Sequence, residues 1–406
     1  MPEIRARRTR RAETAEPAFA PTVSRAASQP DATASIPAGA TGVILVDLAR
    51  LAANWQALAR HVAPAECGAV VKADAYGVGA DRVIPTLYEA GCRSFFVATL
   101  HEAAHARRLA PSAAVYVLDG LLPGTARELA ALGVTPALTS LEDARTWGSL
   151  ASNGVRTPPV ALHVDTGLHR LGMSAKEVRE LARDAALLRR LDIALVMSHL
   201  ACADEASHPM NREQLDVFHR LRSGLPPARA SLAASDGLML GADFHLDLVR
   251  PGYALYGGQA APERTTPVDA IVRVQARILQ VHDVAVGGRI GYSASYRAQS
   301  PRRVATIAAG YADGVFRHAS ATNETAGGAV AFRDKRAPIV GRVSMDLITV
   351  DVTGFDDPAP QRGDWVDLVG PDLPIEVVGR AAGTIGYEVL TRLGPRFHRV
   401  YCDERG

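Results

Sequence analysis

The chain has few cysteines, no long apolar run and no excess of charge of one sign, and each of these absences removes a class of function. Cys67, Cys92, Cys202 and Cys402 stand far apart, with no Cys-x-x-Cys pair and no companion histidine at zinc-site spacing. A disulfide framework and a zinc module are excluded, and the thiols read as reduced, which suits a cytoplasmic protein. No apolar stretch approaches the roughly 18–20 residues that cross a bilayer. The longest, such as residues 113–118 and 193–197, have strand length, so a soluble protein without a membrane partner is expected. Lys plus Arg total 45 against 43 for Asp plus Glu, which leaves no positive field to collect nucleic acid. A dinucleotide-type Gly-x-Gly-x-x-Gly loop is also missing, against a nicotinamide or flavin enzyme.

At 406 residues the chain is too long for one core, so two or more domains are expected. Residues 1–42 carry Arg5, Arg7, Arg8, Arg10 and Arg11, but no apolar stretch follows them as it would in an export signal. Their Ala, Thr, Pro and Ser content predicts a disordered tail. Beyond it, apolar runs at residues 68–71, 94–98, 114–118, 135–138, 160–164, 193–198, 228–233 and 246–249 alternate with helical patterns such as 102–109, 141–149, 176–188 and 211–221. Eight strand–helix units predict a (β/α)8 TIM-like barrel over residues 43–262, with a doubly wound open sheet as the alternative. The run at 43–47 has no place among the eight strands and is expected to pair elsewhere, with the second domain as the candidate. From residue 267 the texture changes to alternating strands (268–281, 303–308, 337–343, 347–352, 365–369) with Gly-rich turns and hardly any helix. A mostly antiparallel β domain over residues 263–406 follows, with the boundary at 258–266.

Polar residues unusual for a core follow the barrel strands at their C-terminal ends, the face on which such barrels build sites. Lys72 follows the first strand, Arg170 the fifth, His199 the sixth, Ser235 the seventh and Arg250 the eighth. Taken alone, Lys72 is a solvated lysine that ends a strand. Beside four convergent strand-end groups it becomes a candidate nucleophile, because a partly desolvated amine favours its neutral form and so a Schiff base.

The string Val71-Lys72-Ala73-Asp74-Ala75-Tyr76-Gly77-Val78-Gly79 resembles the cofactor-lysine motif of the alanine racemase family. Further family-like segments follow in family order: Asp165-Thr166-Gly167-Leu168-His169-Arg170-Leu171-Gly172, Ser198-His199-Leu200, Val249-Arg250-Pro251-Gly252-Tyr253, Gly291-Tyr292-Ser293, Gly310-Tyr311-Ala312-Asp313, Arg342-Val343-Ser344-Met345-Asp346 and Ile385-Gly386-Tyr387-Glu388. The resemblance implies a pyridoxal 5'-phosphate enzyme that interconverts L- and D-alanine by a two-base mechanism and supplies D-alanine for peptidoglycan. It implies Lys72 as cofactor anchor and one base, and Tyr292, from the β domain of a partner subunit, as the other. The active species would be a homodimer with shared sites. His199 and Arg250 would form a hydrogen-bonded line with Tyr292, and Arg250 would donate to the pyridine nitrogen. The phosphate would be held by the Tyr76, Tyr387 and Ser235 hydroxyls and the backbone amides of Gly252 and Tyr253, and the substrate carboxylate by Arg170 and the Met345 amide. Tyr311 and Tyr296 would either line a narrow entrance or pack an interface.

Two positions depart from the family pattern. His163 stands where many relatives carry a lysine that becomes carbamylated and holds the substrate-binding arginine. A histidine offers an acceptor without a fixed negative charge, so Arg170 is expected to be held differently and substrate preference to shift towards serine or other small amino acids. Ala234 replaces a side chain that is often polar, with little consequence expected. Rival readings are a broad-specificity racemase, a basic-amino-acid decarboxylase, which Arg250 disfavours, and a non-enzymatic pyridoxal phosphate carrier, which the β domain and Tyr292 disfavour. A metal-dependent hydrolase lacks its His and Asp clusters.

Overall fold

A computed structural model describes residues 36–259 and 266–403. Most of the expected N-terminal tail and residues 260–265 of the expected domain boundary lie outside the described residues. The apolar runs form parallel strands, Ala69–Val70, Ser94–Val97, Ala114–Val117, Thr135–Leu138, Val160–His163, Ile193–Met197 and Arg229–Ser231, each bonded to the next. The ring closes through Leu248–Val249, which pairs in parallel with Glu66–Cys67, the lead-in to Ala69–Val70, while Arg250 bridges Ala234 beyond Arg229–Ser231. The barrel is therefore the fold, and the open-sheet alternative falls away. Both faces of these strands are covered, which is why their sequences read as unbroken apolar runs rather than alternating ones.

Capping side chains fix where the barrel helices start. Thr99 and Glu102 form a capping box at Leu100–Leu109, Ser174 and Glu177 another at Ala175–Arg183, and Ser140 caps Leu141–Ser152. The single helix expected over 176–188 is two, because the Asp184 side chain accepts from the Leu187 amide and starts a new turn, Ala185–Leu188.

Strand Val272–Val284 organises the second domain. It pairs antiparallel with Gly42–Asp47, Trp365–Val369 and Arg302–Ile307, and its first seven residues alternate between buried and half-buried. Gly42–Asp47 also pairs in parallel with His398–Cys402. The run at 43–47 thus lies in the β-domain sheet, as its lack of a barrel slot suggested. Asp47 then caps helix Leu48–Val62, which returns the chain to the barrel, and buried Asn54 on that helix bonds Leu255 O and both backbone groups of Asp269.

Three details differ from the sequence reading. The long strand begins at Val272 rather than 268. Strand Lys335–Pro338 stops where Pro338 lacks an N–H to donate, leaving only an isolated bridge at Ile339 instead of pairing to residue 343. The domain also carries two helices, Ile375–Ala381 and Gly386–Thr391, where hardly any were expected.

Candidate active site

Lys72 leaves the strand Ala69–Val70 at the barrel mouth, where its half-buried amine is held below the usual lysine range. Burial is the main cause, and the Arg170 and Arg250 charges add to it against the pull of Asp119 and Glu102. The next four residues, Ala73, Asp74, Ala75 and Tyr76, all have left-handed backbone angles, with φ of 54°, 53°, 52° and 58°. L-residues avoid this conformation, so something must hold it. Glu102 accepts from the Ala73 amide at 2.7 Å and, with its other oxygen, from Ala98 at 2.8 Å. The Asp74 carboxylate accepts from Ala80 N, and Arg399 and Tyr401 donate to the carbonyls of Gly77 and Val78. In the sequence Glu102 stood only as the first residue of the helical pattern 102–109, and its bond to the residue after the lysine was not legible there.

Arg250 is 3% exposed, and its guanidinium donates to Ser231 Oγ at 2.5 Å and Ser198 O at 2.7 Å, with His199 Nδ1 3.5 Å away. Burial pushes it down to about 10, still cationic at neutral pH. His199 is held at about 3 by burial and by the charges of Arg250 and Arg170. His163, buried at the end of Val160–His163, is held at about 4 for the same reasons. Both rings are therefore neutral near pH 7. His163 Nδ1 is buried without a hydrogen-bond partner, an unmet polar group inside the barrel mouth. Arg170 sits on the loop after the same strand, which is folded back by Met173 N to His163 O and by an Asp165 side chain that accepts from Gly167 and His169. Among the described residues no carboxylate pairs with Arg170 or Arg250. Arg250 is a buried cation without an anion, which is costly, and Arg170 adds an exposed positive charge, so the mouth suits an electron-rich, anionic ligand.

Beside Arg250 lies a nest of donors. Ser235 Oγ accepts from the amides of Gly252 at 3.0 Å and Ala254 at 3.2 Å, so its own hydroxyl proton is the donor, with the Tyr387 oxygen within its reach. Gly252 approaches the Tyr76 hydroxyl so closely that no Cβ would fit. Tyr76 packs against Tyr256 and Tyr387, and Tyr387 stacks on Tyr253 with ring centroids 4.0 Å apart. Tyr387 donates to Asp236 at 3.2 Å, and the Tyr253 hydroxyl turns away to Glu376, so what Tyr253 offers here is backbone. A phosphate fits this cluster of hydroxyls and amides. Ser231, which fixes Arg250 together with the Ser198 carbonyl, was not singled out in the sequence, and Ser198 stood there only as the first residue of the segment around His199.

The β-domain candidates stand apart from this cluster. Tyr292 is 71% exposed, Met345 53% and Tyr311 41%, unusual for residues of their apolar bulk. Tyr296 instead packs against Ile290, Val304 and Val340 of its own domain.

Fold and site together define a barrel protein with an appended β domain, whose mouth presents a depressed lysine amine, two guanidiniums without a carboxylate partner among the described residues, and a cluster of hydroxyls and backbone amides. Family models for the N-terminal and C-terminal domains of alanine racemase match residues 46–260 and 271–401. An alanine racemase of Brucella abortus is 46% identical over 90% of this chain and 95% of its own, and one of Methylobacterium nodulans is 45% identical over 89% and 96%. A crystal structure of alanine racemase from Bartonella henselae with covalently bound pyridoxal phosphate superposes with a TM-score of 0.85 at 41% identity, covering 89% of this chain and all of that one. The chain belongs to the alanine racemase family.

Proposed function

We propose that this protein interconverts L-alanine and D-alanine with pyridoxal 5'-phosphate bound through Lys72, as a cytoplasmic homodimer with shared sites that supplies D-alanine for peptidoglycan. The observation that carries the reading is Arg250: a buried guanidinium, fixed by Ser231 and Ser198 and free of any carboxylate partner among the described residues, in the same mouth as a lysine amine held below its usual range. When bound, the cofactor supplies an electron-poor ring that spreads the charge left when an α-proton departs. Arg250 can only donate to the ring nitrogen, which keeps that nitrogen unprotonated and disfavours the decarboxylase reading. Tyr76, Ser235, Tyr387 and the amides of Gly252 and Tyr253 hold the phosphate. Arg170 and the Met345 amide hold the substrate carboxylate, and Tyr311 narrows the entrance for a side chain as small as alanine's.

Racemisation needs a base on each face of the α-carbon. Lys72 is one, its amine held below the usual lysine range by burial and by the Arg170 and Arg250 charges. The other is Tyr292 of the partner subunit, whose exposure in a single chain supports a role outside its own barrel. His199 Nδ1 faces Arg250, so its proton sits on Nε2 and is available to stabilise a phenolate.

The test is deuterium uptake from solvent into L-alanine, D-alanine, L-serine and L-lysine, measured side by side. Exchange into both alanine enantiomers is expected, with some into serine because His163 leaves Arg170 without a fixed anionic neighbour. Exchange into lysine but not alanine overturns the substrate. Tyr292→Phe should slow abstraction from one enantiomer more than the other, and equal, mild losses would count against two bases.

A further inference from the structure

Arg396 joins two loops that share no strand. Its Nε and Nη2 each bond the Asp313 carboxylate at 2.6 Å, while Nη1 bonds Asp346 at 2.7 Å. Asp313 lies two residues after Tyr311, and Asp346 directly follows Met345. The loops also meet through their backbones, with Tyr311 N on Ser344 O and Ala312 N on Met345 O, both at 3.0 Å. Gly310 abuts the Met345 carbonyl where a Cβ would collide with backbone. Asp313 is 4% exposed, and its carboxylate also accepts from Gly310 N, so Arg396 is the charge that makes this burial tolerable. Two-point pairing to a planar carboxylate fixes direction as well as distance.

The clamp reaches further through the chain. Arg396 lies between helix Gly386–Thr391, which carries Tyr387, and strand His398–Cys402, whose Arg399 and Tyr401 hold the turn after Lys72. One short segment therefore touches the phosphate nest, the lysine turn and the two exposed loops.

We propose that Arg396 is a positioning residue for amino-acid selection: it sets the separation of Tyr311 and the Met345 amide without touching substrate. The inference rests on the reading that these two groups face substrate in the barrel of the partner subunit. A displacement on the order of 1 Å in such a group is enough to cost up to about a hundredfold in rate. Loosening the clamp should therefore appear as lost recognition, with the lysine and its bound cofactor undisturbed.

The experiment compares the wild-type holoenzyme with Arg396→Gln, Arg396→Lys and Asp346→Asn in steady-state kinetics on L-alanine and L-serine, with the visible band and the thermal melt as controls. Arg396→Gln should raise KM for alanine by about tenfold or more, lower kcat less, and narrow the alanine-to-serine ratio. Arg396→Lys should recover part of the loss, and Asp346→Asn should shift KM the same way by a smaller factor, with the band unchanged in all three. Unchanged KM and ratio in a cooperatively melting Arg396→Gln would overturn the proposal. If that variant does not fold, an unchanged KM in Asp346→Asn does the same. Mixed dimers of Lys72→Ala with Arg396→Gln separate the clamp from the shared site beneath it. Each mixed dimer has one site that joins an intact Lys72 barrel to an intact clamp, so activity should return with wild-type KM. Activity returning with the raised KM would retain the clamp but overturn the shared-site reading.

Discussion

Nη2 of Arg250 lies 3.5 Å from Nδ1 of His199 and 2.7 Å from the Ser198 carbonyl, so one strand end holds both the cation and the ring facing it. A permanent positive charge against Nδ1 makes that atom the acceptor. Burial first, and this positive charge second, keep the rings of both His199 and His163 neutral.

Stability of the cofactor-free protein should therefore fall on mild acidification. His163 is held at about 4, against about 6.5 in an unfolded chain. Between those values the unfolded state binds the extra proton, so this contribution is complete above pH 6.5 and is lost as pH falls through about 4. The loss is on the order of 3 kcal/mol. His199 acts in the same direction. Urea unfolding from pH 7 to 4.5 is expected to show the decline, with a shallower slope in His163→Gln. Parallel slopes for the two proteins would show that His163 is not the sensor.

Lys72 is one of only three lysines in the chain, with Lys176 and Lys335. Its depressed amine predicts that, in the cofactor-free protein near pH 7.5, reductive methylation marks Lys72 ahead of the other two. Peptide mass spectrometry over a short time course reads the order directly. With cofactor bound, Lys72 should be protected, and Lys72→Ala should lose the visible band and at least about a thousandfold in activity. Methylation of Lys176 and Lys335 first would contradict the depressed amine.

The eight barrel strands and the break to a β domain were visible because apolar runs and turn chemistry are local properties of the chain. The strand-end residues were visible because a lysine, a histidine and two arginines beside apolar runs are conspicuous. What holds them was not. Ser231, Ser198 and Glu102 act through bonds to residues 19, 52 and 29 positions away, and nothing in their own neighbourhood marks that partner. The helix Gly386–Thr391 was read only as a motif around Tyr387, since six residues are too few to display a helical period. Tyr292, Tyr311 and Met345 were found by resemblance alone, and their exposure in the single chain explains why no core pattern surrounds them.

Ser235 gathers the amides of Gly252 and Ala254 on one oxygen, so Ser235→Ala removes a hydroxyl donor and leaves two buried N–H groups without their acceptor. Each lost bond of this kind costs about 1–3 kcal/mol. The free protein should be destabilised, and its affinity for pyridoxal phosphate should fall by about 10- to 100-fold. Titration followed by the visible band measures the second effect, and a denaturant midpoint the first. Unchanged cofactor affinity would remove Ser235 from the phosphate nest.

The turn after Lys72 gives a prediction whose sign runs against ordinary helix propensity. In a right-handed helix, replacing alanine by glycine costs up to about 1 kcal/mol. Ala73 has φ 54° and ψ 51°, where its Cβ crowds the following carbonyl, at a cost of about 1–2 kcal/mol that glycine does not bear. The Ala73 side chain is exposed, so truncating it empties no core. Ala73→Gly should therefore leave stability unchanged or raise it by about 1 kcal/mol, after allowing for the greater freedom of glycine in the unfolded chain. Ala73→Val should destabilise, because a branched Cβ crowds most in this conformation. The bond from the Ala73 amide to Glu102 survives both changes, so the contrast isolates backbone strain from the loss of a partner. Denaturant midpoints for the three proteins decide it, and a destabilised glycine variant would mean that the turn is not left-handed in solution.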